Sequence, residues 1–167
     1  MRVVLALGSN LGRRMENLQG ALDALFDAPG LTFVAVSPVY ETDPVGGPEQ
    51  QGAYLNAVVV AESMLDARAL LERAQGVENA FGRVRLVRNG PRTLDVDLIV
   101  VDEIVSDDPE LTLPHPRAHE RAFVLVPWSR ADPDATVPGR GAVADLLAGL
   151  DQTGVRLRED LSLEPPA

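Results

Sequence analysis

The sequence contains neither cysteine nor lysine. Without cysteine there are no disulfides, no thiolate nucleophile and no Cys-based zinc site. Without lysine there is no P-loop lysine, no protein-kinase phosphate-binding lysine and no Schiff-base chemistry. All 15 basic residues are therefore arginine. No apolar run approaches the ~20 residues needed to span a bilayer. The apolar start at residues 3–7 stops at Gly8-Ser9-Asn10, short of the roughly 7–15-residue core of a signal peptide. A cytoplasmic protein with no membrane partner is expected. Positive charge is also scarce: 25 acidic residues give a formal charge of -10 and a pI near 4.6. That argues against a nucleic-acid partner, which needs a positive face to displace counterions from phosphates.

What is present suits one α+β domain. A chain of 167 residues that is 46% hydrophobic can build a single proper core. Residues 3–7 read as a first strand. Met15, Leu18, Leu22 and Leu25 recur at helical spacing and stop before Pro29-Gly30. Residues 31–39 read as a second strand, 41–53 as a long Gly/Pro-rich loop, and 54–60 as a third strand. Residues 66–81 form a second amphipathic helix that Asp66 can cap. A fourth strand follows, then a hairpin over 101–105 and short helices over 118–126 and 143–148, the last stopped by Gly149. The tail from Arg156 is expected to fray. The order is βαββαβ, a ferredoxin-like core with an added C-terminal hairpin and helices. The chain is expected to be a monomer.

The fourth strand poses a problem. In NGPRTLDVDLIVVD (89–102), Leu94, Val96 and Leu98 alternate as a buried strand should, yet Asp95 and Asp97 share the other face. Their Cβ atoms lie about 6.5 Å apart at a rise of ~3.3 Å per residue. Two such carboxylates can lean toward one Mg²⁺-sized ion, which takes oxygen ligands and is usually completed by substrate phosphates. An acidic outer strand face is the bland alternative. Just upstream, Arg83, Arg85, Arg88 and Arg92 crowd into ten residues. As a solvated loop they mean little. Beside an acid pair they offer guanidinium forks for phosphate oxygens.

At these residues the chain resembles a known family. Gly90-Pro91-Arg92-Thr93-Leu94-Asp95-Val96-Asp97-Leu98, with Leu5-Ala6-Leu7-Gly8-Ser9-Asn10-Leu11-Gly12, Tyr54-Leu55-Asn56 and Leu113-Pro114-His115-Pro116, is similar to the 6-hydroxymethyl-7,8-dihydropterin pyrophosphokinases of folate biosynthesis. The likeness runs in order over about residues 1–130. It implies transfer of pyrophosphate from ATP to the pterin hydroxymethyl oxygen, giving AMP, with two Mg²⁺ ions held by Asp95 and Asp97. It further implies catalytic roles for Arg83 and Arg92 as well as the two aspartates. Nucleotide-side roles fall to Gln75, Glu78, Arg85, Leu98, His115 and Arg121. Pterin contacts fall to Thr42, Pro44, Val45, Tyr54, Asn56 and Phe123.

Two positions depart from the family pattern. Asn89 stands where many members carry an aromatic residue that closes over the pterin, so weaker pterin binding with unchanged chemistry is expected. Pro116-Arg117 replaces an aromatic residue beside the histidine in some members. His115 and His119 are four apart, but Pro114 and Pro116 bracket His115 and argue against a shared helix, hence against zinc. Two rivals remain at this level: another two-metal enzyme on the same fold, such as a nucleotidyl transferase or cyclase, and a non-catalytic ligand-binding module.

Overall fold

The computed structural model describes residues 1–44, 52–81 and 93–166. Among them, one mixed α/β unit is built on a six-stranded antiparallel sheet. Strand β1 (Arg2–Ser9) is central, paired on one side with β4 (Tyr54–Ser63) and on the other with β5 (Asp95–Val101). Beyond β4 lie β2 (Leu31–Val36) and β3 (Tyr40–Thr42), both antiparallel to it. The outermost strand, β10 (Val155–Leu157), pairs with β3.

Alternation sorts β1 and β4 into two cores. Val3, Leu5 and Leu7 with Leu55, Ala57 and Val59 pack against α1 (Arg14–Phe26) and α2 (Ala67–Ala80). Those helices contribute Leu18, Leu22, Leu25, Leu70, Ala74 and Val77, the stripes expected from their spacing. Asp66 does cap α2: its carboxylate accepts from the Ala69 N–H at 2.9 Å. On the opposite face Val4, Val58 and Val60 meet α3 (Ala122–Ala131) through Val124, Leu125 and Trp128.

Several boundaries differ from the sequence reading, each for a local reason. The second strand is two strands, because the chain breaks at Ser37-Pro38, where the Ser37 hydroxyl takes the Val58 N–H at 2.9 Å. Glu41 and Thr42, expected in the 41–53 loop, belong to β3, and residues 45–51 of that expected loop lie outside the described residues. The third strand runs on to Ser63. The hairpin lies further on than residues 101–105: β6 (Ser106–Asp108) pairs with β7 (Leu111–Leu113). Residues 118–126 divide into a 3₁₀ turn, Ala118–Glu120, and the start of α3, which continues through Pro127 to Ala131. An interior proline forfeits one helical hydrogen bond. Burial of Pro127 and Trp128 against the sheet offsets it. After a small ribbon, β8 (Thr136–Val137) with β9 (Gly141–Ala142), comes α4 (Val143–Ala148), followed by Gly149 as expected.

The tail from Arg156 is not loose. Arg156 lies within β10, and Leu163 is 8% exposed in the helix-side core. No helix among the described residues is long and apolar enough to cross a membrane.

Candidate active site

Among the described residues, the α3 face of the sheet is only half covered. Val4 is buried in the core with Trp128, but the next positions of β1 on that face are Ala6 and Gly8, too small to fill the space above them. A cleft of about 350 Å³ opens there. Its floor is cross-strand rows: Asp97 opposite Ala6, then Asp95 opposite Gly8 and Gly8 opposite Asn56. Its walls are Thr42, Asp43, Pro44 and Tyr54 on one side and His115, Arg117, Arg121 and Phe123 on the other.

Asp95 and Asp97 occupy one face of β5, half-buried, while Leu94, Val96 and Leu98 fill the helix-side core. The acid pair thus faces the cleft because the strand alternates. Gly8 matters between Asp95 and Asn56. A Cβ at this position would stand 2.8 Å from Asn56 Oδ1 and 3.4 Å from Tyr54 Cδ1. Only glycine lets those side chains lie across β1. Asn56, 8% exposed, donates from Nδ2 to the Thr42 hydroxyl, which fixes the orientation of its amide.

His115 is placed by a bulge in β5. Val4 pairs with Val100 and Leu5 with Leu98, so Ile99 is an extra residue in the ladder. The Ile99 carbonyl accepts the His115 N–H at 2.8 Å. The His115 Nδ1 accepts from the Arg117 N–H at 3.3 Å, so the neutral ring carries its proton on Nε2. Burial, then the charges of Arg121 and Arg117, lower the His115 pKa from 6.5 to about 4. The ring is neutral at physiological pH. The Arg121 guanidinium lies 5.4 Å over the Phe123 ring, a cation–π contact that holds it at the cleft wall.

Thr42, Pro44, Tyr54, Asn56, Asp95, Asp97, His115, Arg121 and Phe123 therefore converge on one cleft. Three other residues named by the resemblance do not line it. Gln75 is exposed on α2, and Leu98 is 6% exposed in the helix-side core because it alternates with Asp97. Glu78, 3% exposed, is on α2 as well, where its carboxylate accepts the Val96 N–H at 3.0 Å. Val45, Arg83, Arg85 and Arg92 lie outside the described residues, as do Arg88 and Asn89. His119 is less exposed than a surface residue would be: its side chain is 16% exposed and its Nε2 is 3.5 Å from the Glu120 carboxylate. Arg117 and Asp43 line the cleft although sequence reasoning gave neither a role. The usable signal for Arg117 was its place two residues after His115.

Carboxylates able to hold a cation, beside guanidinium groups and an imidazole N–H able to hold phosphate oxygens, give this cleft the chemistry of a phosphoryl-transfer site. Comparison with known proteins agrees. Residues 4–133 match the family model described as 7,8-dihydro-6-hydroxymethylpterin-pyrophosphokinase (HPPK). The chain is 48% identical over 172 residues to the 2-amino-4-hydroxy-6-hydroxymethyldihydropteridine pyrophosphokinase of Mycobacterium tuberculosis, covering 93% of this chain and 89% of the relative. It is 52% identical over 173 residues to the enzyme of that name from Mycobacterium leprae, covering 93% and 88%. With the Pseudomonas aeruginosa enzyme the identity is 42% over 154 residues, covering 92% and 94%. The chain belongs to the HPPK family.

In fold it is similar to a triple mutant of the Plasmodium falciparum HPPK-DHPS protein crystallised with pteroate. The TM-score is 0.68 at 14% identity, and the match covers 88% of this chain and 42% of that longer one.

Proposed function

We propose that this chain transfers the pyrophosphoryl group of ATP to the hydroxymethyl oxygen of 6-hydroxymethyl-7,8-dihydropterin, yielding the pterin diphosphate and AMP in folate biosynthesis. The observation that carries this reading is the convergence, in a member of the HPPK family, of an acid pair, two arginines, a neutral imidazole and an ordered asparagine amide on one small cleft. The hydroxymethyl oxygen forms a bond to the β-phosphorus, the bond from that phosphorus to the AMP oxygen breaks, and the hydroxymethyl proton leaves to solvent.

The donor set suits Mg²⁺. Two carboxylates two residues apart supply hard oxygen ligands, and the described residues contain no group of three or more His, Asp or Glu that would cage a metal alone. That matches an ion completed by phosphate oxygens, with Asp95 and Asp97 holding two Mg²⁺ beside ATP. Bound there, Mg²⁺ would neutralise the charge on the phosphate oxygens. Arg121 and the His115 Nε2–H serve as donors to the nucleotide. Asn56, its Nδ2 committed to Thr42, keeps Oδ1 for a donor on the pterin amide edge, while Tyr54 and Phe123 supply flat and apolar surface. Arg83 and Arg92 add phosphate contacts, with Arg85 on the nucleotide and Val45 on the pterin. We assign no protein general base, because positioning and charge complementarity supply most of what phosphoryl-type transfer needs.

We read the core as ferredoxin-like: the order β5-β1-β4 followed by β2 and β3, all antiparallel, is the split βαβ arrangement with its second strand divided. We read the protein as a cytoplasmic monomer. The decisive assay is incubation with ATP, Mg²⁺ and 6-hydroxymethyl-7,8-dihydropterin. AMP as product supports the reading, whereas released pyrophosphate indicates nucleotidyl transfer instead.

A further inference from the structure

Strand β3 is three residues long, yet it carries Thr42 into the cleft, and Asp43 and Pro44 follow directly. So short a strand needs support from both sides. On the inner side it pairs with β4, Tyr40 opposite Asn56 and Thr42 opposite Tyr54. On the outer side it pairs with β10, Val155 opposite Thr42 and Arg156 opposite Glu41. The Asp43 N–H also donates to the Gly154 carbonyl at 3.1 Å, and the Arg158 N–H to the Val39 carbonyl at 2.9 Å.

Glu41, between Tyr40 and Thr42, is the centre of an ion cluster away from the cleft. Its carboxylate lies 2.7 Å from Arg158, 3.5 Å from Arg156 and 3.7 Å from Arg14. Each arginine reaches a second anchor. Arg14, at the start of α1, donates to the Ala53 carbonyl at 2.9 Å, next to Tyr54. Arg156 pairs with Asp43 at 3.0 Å, next to Pro44. Arg158 grips Asp160 through two nitrogens at 2.9 and 2.8 Å. A single exposed ion pair holds little, but a network in which one carboxylate ties four segments restricts their relative motion. Two of those segments bear cleft residues: the one that carries Thr42 and Pro44, and the one in which Ala53 leads into Tyr54. The clamp from β10 comes from residues beyond the 4–133 stretch that the family model matches.

We infer that Glu41, clamped by Arg14, Arg156 and Arg158, is a positioning residue for the pterin-side wall, through which the C-terminal strand sets affinity for the pterin and leaves nucleotide affinity alone. The inference rests on the pterin reading given above. The pterin ring carries no charge, so its direct contacts are nearly indifferent to salt, whereas an exposed ion cluster is screened within about 8–10 Å at physiological ionic strength and within ~3 Å at 1 M.

The test is calorimetric titration of 6-hydroxymethyl-7,8-dihydropterin and, separately, Mg-ATP into wild type, Glu41→Gln and Arg158→Gln, at about 0.1 and 1 M KCl, with thermal unfolding as a check on folding. Small misplacements of a binding wall cost up to about 10²-fold, so roughly a tenfold rise in pterin Kd is expected for Glu41→Gln and a smaller one for Arg158→Gln. Mg-ATP Kd should stay within about twofold, and the salt dependence of pterin binding seen in wild type should vanish in Glu41→Gln. Unchanged pterin affinity in both variants overturns the inference. So does an equal loss of pterin and nucleotide affinity, which would mark general destabilisation. A wild-type chain that binds no pterin and makes no AMP would sink the functional reading itself, an outcome distinct from the other two.

Discussion

Replacing His119 with glutamine leaves His115 as the sole imidazole of a chain with two histidines, so its titration can be followed ring by ring in proton NMR spectra. Burial and the neighbouring Arg121 and Arg117 charges place that titration at about 4 instead of 6.5. At ~1.4 kcal/mol per tenfold change in proton affinity, the full gap is worth about 3 kcal/mol. His115 is only half-buried, so solvent screening leaves roughly 1–2 kcal/mol of it. The direction follows from linkage. The unfolded chain takes up this proton near pH 6.5 while the folded chain refuses it until about 4, so the contribution is whole above 6.5 and is lost as pH falls through that window. Arg121→Gln should move the titration part of the way back, because burial and Arg117 remain. Titration with an ATP analogue should also raise it, since phosphate oxygens would offset both guanidinium charges. A ring that titrates near 6.5 in the free protein, or one indifferent to Arg121→Gln, would refute the electrostatic account of this wall.

Asp95→Asn and Asp97→Asn should each lower kcat by about 10²–10³-fold or more, with the unfolding midpoint little changed, since each removes charge complementarity without a core contact; near wild-type turnover in either would remove the acid pair from the mechanism. Gly8→Ala drives a methyl group into the Asn56 amide and should weaken pterin binding while costing about 1–3 kcal/mol of stability; an unchanged pterin Kd would mean that Asn56 is not a ring contact. Glu78→Ala leaves the buried Val96 N–H without its carboxylate acceptor, and urea denaturation should register a loss of about 1–3 kcal/mol, with no loss arguing against that bond.

The helices, the two-faced sheet and the acid pair were legible because each is written in periodicity: spacings of three and four for α1 and α2, strict alternation for β5. What periodicity does not carry was misjudged. Pro38 split a β-branched run whose composition alone reads as one strand. The short helix expected over 118–126 continues as α3 past Pro127 to Ala131, where burial of Pro127 and Trp128 offsets the lost hydrogen bond. The tail from Arg156 looked loose because its partners, Glu41 and Val39, lie more than a hundred residues away, and local composition is silent about such pairing. The cleft itself was legible from the family likeness more than from pattern. That likeness also named Leu98, whose side chain turns to the helix side by the same alternation that brings Asp95 and Asp97 to the cleft, and Glu78, which sits on α2 and accepts the Val96 N–H.

The supernumerary residue in β5 makes the acid floor and the imidazole wall separable by chain length alone. Excising Ile99 would close the ladder into a regular one, with Leu98 still opposite Leu5 and Val100 still opposite Val4, so the carboxylates would keep their aim. Lost would be the carbonyl that tethers His115. One peptide unit therefore joins two halves of a cleft that separate elements build, and a deletion that removes it would detach the imidazole wall without moving the acid pair.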